Sequence, residues 1–459
     1  MSKIKVLVVP SDRTGVSYYR STIPHIKLEE YFPKDFHVDI DYEPQLNNDS
    51  YLKQYDLIHY HRTLGDYDKL PQLLDKCDEL GIATVMDIDD HWSPGPDHPA
   101  WQIIKKHELD KKIANNIKIS RNVITTTSVF ADEISKLNKN VFVLPNAIDT
   151  NEKQYQSNPE KSERIRIGWL GGSSHMKDLE ILKGLMTKLK SDGLLDKVQF
   201  VLCGYDLRGT MTMIDQKTGE QKQRPIKPKE SVWYQYEKIF TDDYNLVSED
   251  YKKFLLSFEN KEYENVNNEP YRRVWTKSIT SYASNYNLFD ISLAPLKEST
   301  FNKVKSQLKV IEAGFHKKAL IAQDFGPYQI DVVNAYEKGG NLNEDANGFL
   351  VPTSKNHKFW YSHLDAQSSS SRVEIGEEWV RALAIDVRAV GGGGRDARRG
   401  AHADRGRGVG DEPDGAGAGV RAGGEPDDVG VQQRVRRGIR EGELAPDVRV
   451  ARALDAGQG

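Results

Sequence analysis

The stretch LFDISLAPLKESTFNKVKSQLKVIEAGFHKKALIAQDFGP, residues 288–327, decides the fold that the sequence predicts. Its first apolar run, residues 289–295, ends at a proline and is typical of a buried parallel strand. A helix capped by Ser299 or Thr300 follows, and a second strand begins at Ala319. This order of strand, helix and strand predicts the parallel sheet of an α/β domain.

The predicted helix has two faces. Apolar side chains recur at helical spacing and predict a core stripe: Phe301, Val304, Leu308, Ile311 and Phe315. Lys305, Lys309 and Glu312 share a second stripe, displaced by about a quarter turn. Ligands of open α/β sheets lie beyond the strand ends, where N–H groups and lysines attract a diphosphate and a carboxylate can bind ribose hydroxyls. A solvated Lys/Glu face is the alternative.

Two segments of this stretch, APLKESTFNKVKSQLKVIEAG and ALIAQDFGPY, resemble the donor site of GT-B glycosyltransferases of family 4. The resemblance implies a nucleotide-diphosphate sugar as donor, with Glu312 on its ribose. It also implies that Asn302, Lys305 and Lys309 contact the donor. Many members carry a second Glu eight residues earlier, where this chain has Val304. No catalytic carboxylate pair is therefore predicted in this helix.

The composition is typical of a soluble globular protein. The 459 residues suffice for two or three domains, with 38% hydrophobic and 29% charged residues and a net charge of −4. This charge gives no reason to expect a nucleic-acid partner. Cys77 and Cys203 lack metal-ligand spacing and fit a reducing cytoplasm. No apolar run has the length of a membrane span, and a peripheral contact with the inner face of a membrane stays open.

The first half of the chain alternates predicted strands with helices. About five strands within residues 1–150 predict a doubly wound, Rossmann-like domain, which the resemblance assigns to the acceptor. Gly15 lies in the loop after the first strand, and the resemblance places it at the cleft between domains as a donor contact. The segment VFVLPNAID, residues 141–149, resembles the one that closes the N-terminal domain of these enzymes. A polar linker follows at residues 151–163.

A predicted strand at residues 83–89 runs into the sequence DIDDHW. Asp89, Asp90 and His91 cluster at its end and suit acceptor binding or proton transfer. The resemblance implies that an Asp or His at this strand end faces the transferred sugar. A loop cap that satisfies backbone N–H groups is the alternative. A D-x-D metal site is not favoured, and the resemblance implies neither a bound metal nor a cofactor beyond the donor substrate.

Residues 164–364 repeat the α/β pattern and predict a second Rossmann-like domain, which binds the nucleotide sugar. Its first loop lies in the segment IGWLGGSSHMKDLE and offers contacts for the donor diphosphate: Gly171, Gly172, Ser173, His175 and Lys177. An insertion at residues 206–274 predicts a helical excursion over the cleft. The sequence that follows, from YRRVW to SNYN, predicts another helix before the strand at residue 289.

Residues 365–459 are rich in Gly, Ala, Arg and Asp and predict a low-complexity tail, disordered or chimaeric in origin. Taken together, these features of the sequence predict two facing Rossmann-like doubly wound domains of the GT-B class, followed by that tail. The resemblance implies transfer of a hexose, with retention, to a glycan or lipid-linked acceptor in surface polysaccharide or lipopolysaccharide biosynthesis. Two alternatives remain: a nucleotide-sugar 2-epimerase of the same architecture and a non-catalytic sugar-nucleotide-binding protein.

Overall fold

The computed structural model describes residues 2–194, 197–206, 210–214, 221–227, 230–240, 271–334 and 346–353. Within these ranges the chain forms two six-stranded sheets and one two-stranded sheet. Both larger sheets are parallel throughout, so the prediction of two Rossmann-like doubly wound units is confirmed. The predicted tail lies outside the described residues.

The first sheet belongs to the N-terminal domain. Its strands are β1 (Ile4–Val9), β2 (Phe36–Ile40), β3 (Leu57–His61), β4 (Ala83–Ile88), β5 (Val123–Thr125) and β6 (Val141–Val143). Their spatial order is β2-β1-β3-β4-β5-β6. The sequence predicts about five strands here, and the structure has six. The order reverses between β1 and β3, and in sheets of this kind ligands usually bind between the loops that follow the two strands at such a reversal.

Short helices connect the strands of the first sheet. They are α1 (Gly15–Ser17), α2 (Ile23–Tyr31), α3 (Asp49–Leu52), α4 (Leu70–Glu79), α5 (Trp101–Lys106), α6 (Leu109–Ile119) and α7 (Ser128–Ile134). A π-helical turn, Tyr18–Thr22, joins α1 to α2, and 3₁₀ turns span Tyr67–Lys69 and Lys153–Tyr155. π-Helical turns are rare and often mark functional positions. This one buries Tyr19 and Arg20.

The second sheet belongs to the C-terminal domain. Chain order gives β7 (Ile165–Leu170), β8 (Val198–Tyr205), a hairpin of β9 (Thr210–Ile214) and β10 (Gln221–Pro225), then β11 (Tyr271–Trp275), β12 (Ile291–Ala294), β13 (Ala319–Gln323) and β14 (Phe349–Val351). The sheet has the spatial order β11-β8-β7-β12-β13-β14. Its order reverses between β7 and β12, which is the point where ligands of Rossmann-like sheets bind. We call this place the switch point.

The helices of the second domain are also short. They are α8 (Met176–Leu179), α9 (Leu185–Ser191), α10 (Val232–Phe240), α11 (Thr300–Lys303), α12 (Leu308–Phe315) and α13 (Tyr328–Asp331), with 3₁₀ segments at Glu180–Leu182 and Tyr282–Leu288. Apolar side chains of α9 and α10 pack on β7 and β8 in one core cluster. The core therefore holds the carboxyl ends of β7 and β12 in place.

The single helix predicted after residue 299 is two helices in the structure. Ser299 caps the first, since its side chain accepts a hydrogen bond from the backbone N–H of Asn302 at 3.1 Å, as predicted. The chain then leaves helical geometry before α12 begins. The core stripe was partly wrong: Phe315 is 44% exposed, whereas Val304 is 2% exposed and packs in the core cluster of the N-terminal domain. The contact of Val304 with the N-terminal domain, and not its spacing along a helix, determines where this side chain is buried.

The region between β8 and β12 also differs from the prediction. Helix α10 buries Trp233, Tyr236 and Phe240 in the domain core, so it covers the sheet as an ordinary crossover helix. The sequence YRRVW forms the edge strand β11, where a helix was predicted. Two adjacent arginines are tolerated inside it because Arg272 pairs with Glu160 and Arg273 with Glu237. Residues 241–270 lie outside the described ranges.

No helix among the described residues combines the length and the apolar character needed to cross a membrane.

Candidate functional site

The loop after β7 forms one side of the switch point. Gly171 has no room for a side chain, because a Cβ atom there would lie 2.4 Å from the ring of Trp169. Gly172 and Ser173 are exposed. The predicted donor contacts at these three positions therefore lie beyond the carboxyl end of a central strand, with backbone that a ligand can approach closely.

Two lysines form the other side of the switch point. The Lys309 ammonium donates a hydrogen bond to the carbonyl of Leu170 and lies 5.5 Å from the ring centroid of Trp169. Lys305 lies over the ring of Phe301 at 5.1 Å. In the described part of the chain, neither lysine forms an ion pair with a carboxylate. Burial lowers the pKa of Lys309 to about 8; the charge of Lys305 acts in the same direction, and the charges of Glu312 and Asp178 oppose it.

Glu312 lies on α12, one turn beyond Lys309, and is 2% exposed. Its Oε1 accepts a hydrogen bond from the hydroxyl of Tyr19 at 2.5 Å, and its Oε2 accepts one from Tyr286 at 3.2 Å. Burial raises the pKa of this carboxyl group. Tyr19 comes from the N-terminal domain, so the carboxylate predicted to hold a ribose receives a hydroxyl from across the domains.

A buried carboxylate that sequence reasoning missed, Asp178, ties the two loops together. Its Oδ1 accepts hydrogen bonds from the backbone N–H of Lys297 and from Nδ2 of Asn302, both at 2.9 Å. Its Oδ2 lies 2.8 Å from Nδ1 of His175. The signal was present in the sequence, because His175 and Asp178 stand three residues apart at the start of a helix.

Lys177 lies in the same loop but is oriented away from the other predicted contacts. Its amine pairs with Glu180 at 2.9 Å, and both side chains are largely exposed. The charge of Asp97 also acts on it. The structure thus brings His175, Lys305 and Lys309 close enough for the lysines to lower the histidine pKa, and it does not place Lys177 with them.

The polar cluster at the end of β4 is held by ion pairs within the N-terminal domain. Asp89 Oδ1 accepts from His61 Nε2 at 2.9 Å and from Arg62 at 3.2 Å. Burial alone would raise the Asp89 pKa, but these two partners outweigh it and the pKa lies below the ordinary value. The other ring nitrogen of His61 contacts the Ser11 hydroxyl in the loop after β1 at 2.8 Å. Asp89 is therefore ionised and fixed in orientation.

Asp90 and His91 differ in their surroundings. Burial and the nearby charge of Asp89 raise the pKa of Asp90, while Lys305 of the other domain acts in the opposite direction. The Asp90 side chain is 32% exposed. His91 stacks on Trp92 with ring centroids 4.3 Å apart, and its Nδ1 accepts a hydrogen bond from the backbone of Ser93. This bond leaves the ring proton on Nε2.

Arg20, on the π-helical turn, organises the centre of the N-terminal domain. It is 4% exposed and pairs with Asp87 at 3.0 Å. The Nη1 atom of Arg20 donates to the carbonyl of Leu144 at 2.7 Å and to Oδ1 of Asn146 at 3.0 Å. Asn146 in turn donates to the hydroxyl of Ser306, just before α12, at 2.9 Å. This chain of contacts links β4, the PNAID segment and the second domain.

Two further features of the N-terminal domain lie at strand ends. A Cβ atom added to Gly15 would lie 3.4 Å from Ile279 of the second domain, which is an ordinary contact. Gly15 thus lies next to a residue of the second domain, and its role as a donor contact stays a prediction. A cavity of about 790 Å³ opens between the loops after β2 and β3. Its lining includes amide and charged side chains: Gln45, Asn47, Asn48, Asp66, Gln72 and Lys76.

Among the described residues, no group of three or more His, Cys, Asp or Glu side chains is arranged to hold a metal ion.

Comparisons with known proteins give structural similarity only. No family model matches the sequence, and no curated protein is significantly similar to it. The chain is similar to the Anabaena protein Alr3699/HepE, solved in complex with UDP-glucose, at 13% identity over 84% of this chain and 94% of that chain, with a TM-score of 0.44.

It is also similar to the catalytic domain of starch synthase IV from Arabidopsis thaliana, bound to ADP and acarbose, at 12% identity over 84% of this chain and 95% of that one, with a TM-score of 0.45. A third similarity is to sucrose-phosphate synthase from Thermosynechococcus elongatus, at 13% identity over 85% and 97% of the two chains, with a TM-score of 0.44. At these scores we assign no activity from the similarity.

Proposed function

We propose that the chain is a glycosyltransferase that moves a hexose from a nucleotide-diphosphate sugar to a glycan or lipid-linked acceptor. One observation carries the proposal: Lys305 and Lys309 stand at the switch point without a carboxylate partner among the described residues. Withdrawing an ammonium group from water is unfavourable unless a counter-charge compensates. A diphosphate at this place supplies that charge, and the adjacent glycines leave room for it.

The donor nucleotide extends from the diphosphate towards Glu312. A buried carboxylate one turn from Lys309 is placed to accept hydrogen bonds from ribose hydroxyls, and it already accepts hydroxyls from Tyr19 and Tyr286. The resemblance to family 4 rests on this helix and on the PNAID segment. Val304, which replaces the earlier Glu of that family, packs into the N-terminal core and takes no part in the chemistry.

In the proposed mechanism, the leaving diphosphate is stabilised by Lys305, Lys309 and His175. Asp90 lies within the field of Lys305 and is the candidate to accept a hydrogen bond from the acceptor hydroxyl. His91 can donate from Nε2 to the transferred sugar, since within the described residues its ring is hydrogen-bonded through Nδ1 alone. Asp89 holds this strand end through His61 and Arg62.

The finer assignment rests on the resemblance alone. We propose transfer with retention of configuration, without a bound metal, in surface polysaccharide or lipopolysaccharide biosynthesis. The acceptor then occupies the N-terminal domain, where the 790 Å³ cavity offers amide side chains suited to sugar hydroxyls. Peripheral contact with a membrane would bring a lipid-linked acceptor to that domain.

The experiment uses the full chain and the UDP, GDP, ADP and dTDP forms of common hexoses. A thermal-shift screen identifies the donor, and the free nucleoside diphosphate is then measured with and without a mixture of glycan and lipid-linked acceptors. Acceptor-dependent release supports the proposal. Conversion of the donor to its 2-epimer, or binding without any turnover, would each replace it with one of the two alternatives. Failure of every nucleotide to bind would overturn it.

A further inference from the structure

Asp178 has a position that the proposed reaction does not yet use. Its carboxylate is buried and contacts both loops of the switch point: the loop after β7 through His175, and the segment after β12 through Lys297 and Asn302. Asn302 also donates to the carbonyl of Lys297 at 2.8 Å. Three donors therefore fix one carboxylate, so its orientation is set before any ligand arrives.

The contact with His175 determines where that ring carries its proton. An ionised carboxylate only accepts hydrogen bonds, so the neutral ring facing Asp178 at 2.8 Å carries its hydrogen on Nδ1. The backbone N–H of His175 donates to the hydroxyl of Tyr236 at 2.9 Å, and the ring lies against Trp169 with centroids 5.8 Å apart. Within the described chain, Nε2 of His175 makes no hydrogen bond.

We propose that Asp178 is a positioning residue that presents Nε2 of His175 to the donor diphosphate and stabilises the imidazolium formed when the diphosphate binds. The inference rests on the proposed function, because it requires a diphosphate at the switch point. The proton comes from solvent and adds to the Nε2 lone pair, so the ring becomes a donor at both nitrogens while Asp178 stays ionised. No bond other than this N–H bond forms or breaks.

The charges around the His175 ring explain why the ring is protonated only when the diphosphate is bound. Asp178 faces it from its own segment, and Lys305 and Lys309 face it from the segment after β12. Burial and the two lysines lower the pKa of His175 to about 4, so the ring is neutral in the unliganded protein. A diphosphate neutralises both ammonium groups and adds negative charge, which reverses the field on the ring.

The tautomer is measured on the free protein by long-range ¹⁵N–¹H NMR of the histidine rings, with His175→Gln used to assign the signal. We expect the Nδ1–H tautomer at neutral pH. Saturating inorganic pyrophosphate should then produce the doubly protonated ring. An Nε2–H tautomer in the free protein would overturn the positioning role, and this measurement needs no Asp178 variant.

The proton is counted by calorimetry of pyrophosphate and UDP binding at pH 6.5 in two buffers of different ionisation enthalpy. The wild type should take up about one proton more per ligand bound than Asp178→Asn, and the titration of the ligand itself cancels in this difference. Glu180→Gln is the matched control, because its exposed carboxylate pairs with Lys177 and should leave the uptake unchanged. Equal uptake in Asp178→Asn and wild type would overturn the inference. If the wild type binds neither pyrophosphate nor UDP, both the proposed function and the predicted proton uptake are wrong. The tautomer of His175 in the free protein would then still test whether Asp178 positions the ring.

Discussion

The charged side chains at the carboxyl ends of the two sheets differ in whether they form ion pairs. In the N-terminal domain the charged side chains are paired: Arg20 pairs with Asp87, and Arg62 pairs with Asp89, which is also hydrogen-bonded to His61. In the C-terminal domain, Lys305 and Lys309 have no such partner among the described residues. The first group already has its counter-charges and stabilises the fold. The second group forms no such ion pair, although the charges of Glu312 and Asp178 act on Lys309. We propose that this difference separates a structural cluster from a binding site.

The largest effect is expected from Arg20→Met. The change leaves Asp87 buried with His59, at 3.4 Å, as its remaining side-chain partner among the described residues. Removing one member of a buried ion pair costs about 3–5 kcal/mol. Urea unfolding of the free protein should show a decrease of that size in the free energy of unfolding.

Arg62→Met is the control for this change, because the Arg62 side chain is 31% exposed and its pairing should contribute less than about 1 kcal/mol. The double change Arg20→Met with Asp87→Leu should be more stable than Arg20→Met alone. Equal unfolding midpoints for Arg20→Met and Arg62→Met would show that burial does not set the contribution of an ion pair within the N-terminal group.

Lys309→Met should act in the opposite direction on stability. The free protein should unfold at the same or a higher urea concentration, because a half-buried ammonium that forms no ion pair among the described residues is replaced by an apolar side chain. Affinity for UDP should fall about 10- to 100-fold with the loss of a charged hydrogen bond. Calorimetry with UDP tests this, with the exposed Lys303→Met as control. A Lys309→Met protein that is less stable yet binds UDP normally would place Lys309 in the structural group.

The pH dependence of stability and of UDP affinity tests the same difference between paired and unpaired charges. The Lys309 pKa is about 8 when folded and 10.5 in its ordinary state, so the unfolded chain binds more protons between these values. Lys309 therefore makes the folded state more stable as the pH rises from 8 to 10.5. UDP affinity should fall over that window, by up to about tenfold per pH unit, since the anion needs the ammonium form. Lys318 titrates near pH 8 as well, so the measured quantity is the difference between wild type and Lys309→Met.

The smallest effect is expected from Tyr19→Phe. Oε1 of Glu312 accepts the Tyr19 hydroxyl at 2.5 Å, so we expect this hydroxyl to compete with a ribose hydroxyl for the same buried oxygen. Losing the Tyr19 hydroxyl should tighten UDP binding about 2- to 10-fold, the range of one net hydrogen bond. Tyr18→Phe, whose hydroxyl contacts Glu152, is the control in the same calorimetric titration. Weaker binding in Tyr19→Phe would show that this hydroxyl helps to hold the nucleotide.

The sequence predicted the parallel sheets because their strands are local apolar runs, and it predicted the cap at Ser299 because capping is also local. It did not predict the break before α12. Phe301, Val304 and Leu308 satisfy helical spacing, and only a contact with the other domain shows that Val304 belongs elsewhere. Tertiary contacts of this kind are not encoded in a periodic pattern.

The candidate site was predicted in the same uneven way. Lys305, Lys309 and Glu312 follow from the position of a helix after a strand. The partner of Glu312 does not, because Tyr19 is 293 residues away in the chain. The arginines of β11 were assigned to a helix, since the carboxylates that make them tolerable in a strand are also distant in sequence.

Val304 gives the chain a property of a different kind. Separating the two domains would expose this side chain to water, at about 1.5–3 kcal/mol for a valine. Since about 1.4 kcal/mol is tenfold in an equilibrium, this one contact lowers the population of separated domains by roughly 10- to 100-fold. A carboxylate at this position could not occupy the same apolar cluster without a large desolvation cost. Val304 therefore acts on a conformational equilibrium, and it makes separation of the two domains a rarer event.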